Sequence, residues 1–135
     1  MPMQAVFYRD PDGNEPVLDV LNALPDRKRA VIENQLDRLN MQQPDEPPLP
    51  QPWTSQIEGE LREFRAHYGQ EHYRVLYRRS GNLLILLHLI RKTTGRVPKR
   101  DIVTAKARWA DFKRRMDAAK RTPPRAAGHD APRSC

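Results

Sequence analysis

Arg65, Arg74 and Lys92 are the residues whose types and spacing could do chemistry. Arg65 lies in the alternating segment 61–68 and Arg74 in the alternating segment 72–78. A tight turn at Gly69-Gln70 would join the two as an antiparallel hairpin. Arg65 then falls opposite Arg74, on the face away from Phe64, Tyr73 and Val75. Like charges opposite each other destabilise a sheet. A bound polyanion removes that repulsion, and the planar guanidinium fork suits phosphate oxygens. Lys92 sits where the aliphatic run 83–90 leaves the sheet, next to Arg91 and the loop TTGRVP that carries Arg96. Arg78, Arg91, Arg96 and His67 extend this candidate surface. Arginines on a solvated sheet face are also ordinary, so the pattern has a structural explanation beside the functional one.

Proton-transfer groups are less clear. Glu63 and His67 share a strand face, and His72 lies opposite; a His and a Glu beside phosphate-binding arginines make a reasonable ribonuclease set. His88 is a further candidate base, although it suits a satisfied sheet histidine as well. The four histidines have no metal-ligand spacing, and the single cysteine is Cys135. No zinc site is therefore expected, nor any cofactor. The six glycines form no phosphate-cradling loop.

Charge sharpens the reading. The formal net charge is +7, but residues 1–57 carry net −4, while 58–100 and 102–135 each carry net +6. A concentrated basic region attracts polyanions. One cysteine allows no disulfide within the chain, which fits a reducing compartment. The N-terminal segment shows no signal-peptide pattern, and the longest apolar run is far shorter than the roughly 18 residues of a membrane span. The expected location is the cytoplasm, with no membrane partner.

The elements that must position these residues follow from periodicity. Residues 3–9 read as a strand, and the DPDGN turn follows it. Val17, Leu18, Leu21 and Leu24 recur at helical spacing, with Asn14 as N-cap and Pro25 as terminator. A second helix is expected from Asp26 to about Gln42, with Val31, Ile32, Leu36 and Leu39 on one face. Residues 44–52 hold five prolines and read as an extended connector packed on the surface, because Trp53 and Ile57 follow. Residues 83–90 are apolar on both faces, as an interior strand must be. Ile102, Ala105, Trp109, Phe112 and Met116 stripe a last helix over about 98–117. The expected fold is α+β, in the order β-α-α-β-β-β-α, with an antiparallel sheet packed by helices. The domain spans 1–118, and 119–135 reads as a disordered basic tail.

Several of these segments, in this order, resemble the core of the RelE/ParE toxin superfamily, and in particular its phage-derived, HigB-like branch of type II toxin–antitoxin systems. They are Glu63-Phe64-Arg65, then Tyr73-Arg74-Val75-Leu76-Tyr77, the aliphatic strand 83–90, Arg91-Lys92-Thr93, and Pro98 with Ala105 and Ala107. The resemblance spans about residues 3–117. It implies a RelE-like small domain that cuts messenger RNA on the ribosome without metal, by attack of a 2′-hydroxyl on the adjacent phosphate. Arg74 and Lys92 then match the positions that stabilise phosphate and transition state, and Arg65 the one that positions RNA. Tyr77 is a weaker candidate for base stacking and suits the core better. It also implies a cognate helix-turn-helix antitoxin. Many nuclease members place a catalytic Tyr or His on a last strand, whereas this chain ends in a helix and a basic tail, so the general base is open. Two other readings stand beside the endoribonuclease: a ParE-like DNA gyrase inhibitor without nuclease activity, and a non-toxic nucleic-acid-binding phage remnant.

Overall fold

The computed structural model describes residues 3–49, 53–91, 95–117 and 127–130. The chain runs β1 (Gln4–Tyr8), α1 (Pro16–Ala23), α2 (Asp26–Asn40), β2 (Thr54–Glu58), β3 (Leu61–Tyr68), β4 (Glu71–Ser80), β5 (Leu83–Arg91), α3 (Lys99–Met116) and β6 (Ala127–Asp130). This is a mixed α+β fold. All seven expected elements form, and two strands are added. β2 escaped the pattern because TSQIE has a single strongly apolar residue; as an edge strand it needs little more. β6 falls inside the segment read as a disordered tail, and its backbone pairs antiparallel with β1. Cys135 lies outside the described residues.

The sheet order is β2-β3-β4-β5-β1-β6. β2, β3, β4 and β5 are antiparallel neighbours, but β1 runs parallel to β5, with Val6 opposite Ile85. The sheet is therefore mixed rather than wholly antiparallel. β1 takes this interior place because its last four residues are all buried and must be covered on both faces.

Alternation along the strands divides the core into two layers. Ala5, Phe7, Phe64, Tyr73, Val75, Leu84 and Leu86 pack with Val17 and Leu21 of α1 and with Ile32, Leu36 and Leu39 of α2. Val6, Tyr8, Leu76, Ile85 and Leu87 face the other way, against Ala105 and Phe112 of α3. A β-bulge adjusts this pattern. Leu76 pairs with His88 and Tyr77 with Leu86, so Leu87 is an extra residue. The bulge puts His88 on the α3 face while Leu89 returns to the α1/α2 face.

Both hairpins close with two residues, Gly69-Gln70 and Gly81-Asn82, between the pairs Tyr68–Glu71 and Ser80–Leu83. Gly69 and Gly81 have φ of 60° and 63°, and no described non-glycine residue has positive φ. Positive φ at the first loop position alone matches the twist of the flanking strands and needs glycine there. α1 starts with Pro16 at its first turn, where a missing N–H costs nothing. Its N-cap is Glu15 rather than Asn14, because Asn14 closes the preceding turn: its N–H donates to Asp10 Oδ1 at 2.9 Å and its carbonyl accepts from the Asp10 amide at 2.8 Å.

α3 is clamped to β1 by one carboxylate. The Tyr8 hydroxyl donates to Asp111 Oδ2 at 2.6 Å, and Arg115 and Arg114 donate to the same side chain at 2.5 and 2.9 Å. Arg115 also donates to the Arg9 carbonyl. Burial first, then the bond to Asp111, pushes the Tyr8 phenol up from 10.0 to about 12. Burial alone would raise Asp111, but the bonds from Arg115 and Tyr8 outweigh it and hold the carboxyl below its ordinary 3.8. A depressed carboxyl stabilises the fold fully above its unfolded value and loses that contribution as pH falls. Asp111→Asn is therefore expected to cost about 1.5–3 kcal/mol at pH 7. Denaturant titrations at pH 7 and pH 3 should show a smaller acid-induced loss in the variant than in the wild type.

Candidate nucleic-acid interface

The β3–β4 hairpin sets the register of the charged residues. Arg65 pairs with Arg74, His67 with His72, and Glu63 with Leu76. The Arg65 amide donates to the Trp53 carbonyl at 2.8 Å, so its backbone polar groups point to β2. Arg65–Arg74 and His67–His72 are consequently non-hydrogen-bonded pairs of β3 and β4, in which side chains approach most closely. All four lie on the face that α3 covers over β5 and β4. At this end of the hairpin both histidines are exposed, and the Arg65 side chain is 39% exposed.

The expected repulsion between the two arginines is answered inside the protein. Glu63 is 2% exposed; its Oε1 lies 2.7 Å from Arg65 Nε and 3.6 Å from Arg74 Nη1. Arg65 also donates to Ser55 Oγ at 3.3 Å. A bound polyanion is thus not required to hold the pair together, which corrects that part of the sequence argument. The charge balance still favours an anion. Among the described ion pairs, one carboxylate serves two guanidiniums, which leaves one positive charge uncompensated.

The same end of the hairpin borders a cleft of about 450 Å³ on the α2 side, where Gln35 of α2 and Trp53 meet Ala66 and Tyr73, with Arg65, His67, His72 and Arg74 at its rim. Trp53 is 38% exposed, and the Arg38 guanidinium sits 5.2 Å from its ring centroid. Trp53 is the site residue that sequence reasoning missed as such. The sequence marks it only as an anchor for the proline-rich connector; a large aromatic just before a polar edge strand is the available signal.

The structure brings Arg65, Arg74 and His67 together and distributes the other candidates. Arg91 pairs with Tyr73 across β4–β5, beside Arg74, and its side chain is 63% exposed and 3.3 Å from Glu71. Arg96 is exposed just before α3. Arg78 is held by Glu60 at 2.8 Å and lies 4.5 Å from the Trp109 ring centroid, so it braces α3. Lys92 lies outside the described residues.

Other proton-transfer candidates are occupied. His88 Nδ1 is 3.0 Å from Arg108 Nη1, and Nε2 is 2.8 Å from Asp101 Oδ1. Arginine only donates, so Nδ1 accepts and Nε2 carries the proton toward Asp101. His88 is a satisfied sheet histidine with no nitrogen free to act as a base. Burial, then the bond its hydroxyl gives Glu71, pushes Tyr73 up to about 12. Burial raises Tyr77 as well, and Tyr77 belongs to the core. Glu71 is held below the usual carboxylate range by Lys28 and then by the Tyr73 hydroxyl. Among the described residues no three His, Cys, Asp or Glu side chains gather to hold a metal ion, and no helix is long and apolar enough to cross a membrane.

Removing the shared carboxylate tests this electrostatic balance. Glu63→Gln should lose about 1.5–3 kcal/mol in denaturant unfolding, the range for a hydrogen bond to a charged group. Inorganic phosphate should then raise the melting temperature of the variant by more than that of the wild type. Equal shifts in both proteins would mean that Glu63 does not balance the pair.

The cleft and the strands that build it lie within residues 19–110, which match the family described as phage-derived Gp49-like proteins (DUF891). No curated protein matches the chain. The match spans more than half of the sequence, and the chain therefore belongs to the phage-derived Gp49-like family, part of the RelE/ParE-like toxin superfamily.

Proposed function

We propose that this protein is the toxin of a type II toxin–antitoxin pair, of the HigB-like branch, and that it cuts messenger RNA on the ribosome without a metal ion. The observation that carries the reading is the cross-strand Arg65–Arg74 pair at the open end of the β3–β4 hairpin, with one carboxylate for two positive charges. Membership of a family of phage-derived toxin relatives supports it. In this reading Arg74 and Lys92 hold the scissile phosphate and stabilise the negative charge that grows in the transition state. Arg65, fixed by Glu63 and Ser55, positions the strand. Arg91, Arg96 and His67 contact the flanking RNA, and Arg78 supports the site from beneath α3. The reaction takes place in the cytoplasm, and a helix-turn-helix antitoxin neutralises the protein.

A strand face with side chains for both phosphate and proton transfer favours catalysis over inhibition of gyrase by binding alone. Induced expression with primer extension on several transcripts should reveal growth arrest and cuts within translated codons. Arg74→Ala and Lys92→Ala should fold, lose toxicity, and lower cleavage by about 10²–10³-fold each. Full toxicity in both variants would refute the site. Growth arrest without RNA cuts, together with inhibited supercoiling by purified gyrase, would assign the protein to the gyrase-directed class instead.

A further inference from the structure

We infer that His67 and His72 are the acid–base couple of this hairpin surface, an inference that rests on the endoribonuclease reading above. Transfer of a 2′-hydroxyl to phosphorus needs one group to take a proton and another to give one. Among the described residues, the rest of the site does not provide them. Glu63 is buried as the counter-ion of Arg65 and Arg74. Both His88 nitrogens are engaged. The Tyr73 phenol is pushed to about 12, far from neutrality. Arginine stays protonated throughout. Histidine is the side chain suited to proton exchange near neutral pH.

The geometry singles out this pair. His67 and His72 face each other across β3 and β4, with ring centroids 5.8 Å apart. Each is two residues from an arginine on the same strand face, His67 from Arg65 and His72 from Arg74. The four side chains thus form two successive cross-strand pairs, one cationic and one imidazole. At that separation, nitrogens of both rings can reach oxygens of a single phosphodiester at the hydrogen-bond distance of about 2.6–3.2 Å.

The step balances within the site. The unprotonated imidazole takes the proton of the 2′-hydroxyl as its oxygen bonds to phosphorus. The P–O5′ bond breaks, and the protonated imidazole gives its proton to the leaving O5′. The products are a 2′,3′-cyclic phosphate and a 5′-hydroxyl, and the two histidines have exchanged protonation states. Two arginines beside the pair oppose a bound cation, so the histidines act as acid and base rather than as metal ligands.

The test uses the full chain with His67→Gln, His72→Gln and the double substitution, on translating ribosomes carrying a defined message. Cleavage rates are measured by single-turnover assay. Binding is measured separately to ribosomes whose message has a 2′-deoxy residue at the cut site. Both histidines are exposed, and melting curves will confirm that the variants fold. Each single variant should cut about 10²–10⁴-fold more slowly, the double no worse than additive, with binding unchanged and a cyclic phosphate on the wild-type product. Wild-type cleavage rates in either single variant would overturn the couple while leaving the endoribonuclease reading intact. So would a loss of binding that matches the loss of cutting, because the histidines would then only hold RNA. A wild-type protein that cuts no message would remove both the couple and the reading it rests on.

Discussion

Strands β1 and β5 are apolar on both faces, and that requires the sheet to be covered twice. α1 and α2 can cover one side only, since they follow β1 directly and share its layer. The second side waits for α3, whose Ala105 and Phe112 close over Val6, Ile85 and Leu87. The Tyr8–Asp111–Arg115 cluster locks that closure with polar groups that would be costly to leave unmade. α3 therefore lies over the inner strands. The outer end of the β3–β4 hairpin stays open on the same face, and the charged cross-strand pairs stand there.

Concentrating positive charge on a sheet has an electrostatic cost, and Glu63 shows how it is met. A solvent-exposed acid would be screened and would compete poorly with a ligand. Glu63 is buried and touches both guanidiniums, so it fixes their orientation before any ligand arrives. Preorganised charge of this kind need not be rearranged at the moment of reaction. The same side chain that stabilises the fold thus leaves the pair with one charge to spare. Arg78 shows the contrasting outcome: it points along the same strand face, but Glu60 and the Trp109 ring engage it, and it serves packing.

Much of the hairpin was legible because its determinants are local. Two-residue alternation and a glycine at the first position of each turn set the register, and with it the opposition of Arg65 to Arg74 and of His67 to His72. The helices were legible for the same reason, from apolar spacing and proline. β2 was not, because an edge strand buries too little to leave a period in five residues. The parallel place of β1 was not, because it depends on residues some eighty positions away. The bulge at Leu87 was invisible in an unbroken aliphatic run, yet it decides that His88 meets Asp101 and Arg108.

The sequence by itself determined the α+β class, the two hairpins, the two-sided burial of β5 and the pairing of like charges on β3 and β4. Each of these depends on backbone periodicity and turn geometry between near neighbours. Only the tertiary structure decided that Glu63 is buried between the arginines, that Trp53 and Gln35 form a cleft behind the hairpin, that Arg78 braces α3, and that His88 is spent on an internal network. Those outcomes turn on which side chains packing brings together from distant parts of the chain. Periodicity assigns a residue to a face, but it does not name the partner that will meet it there.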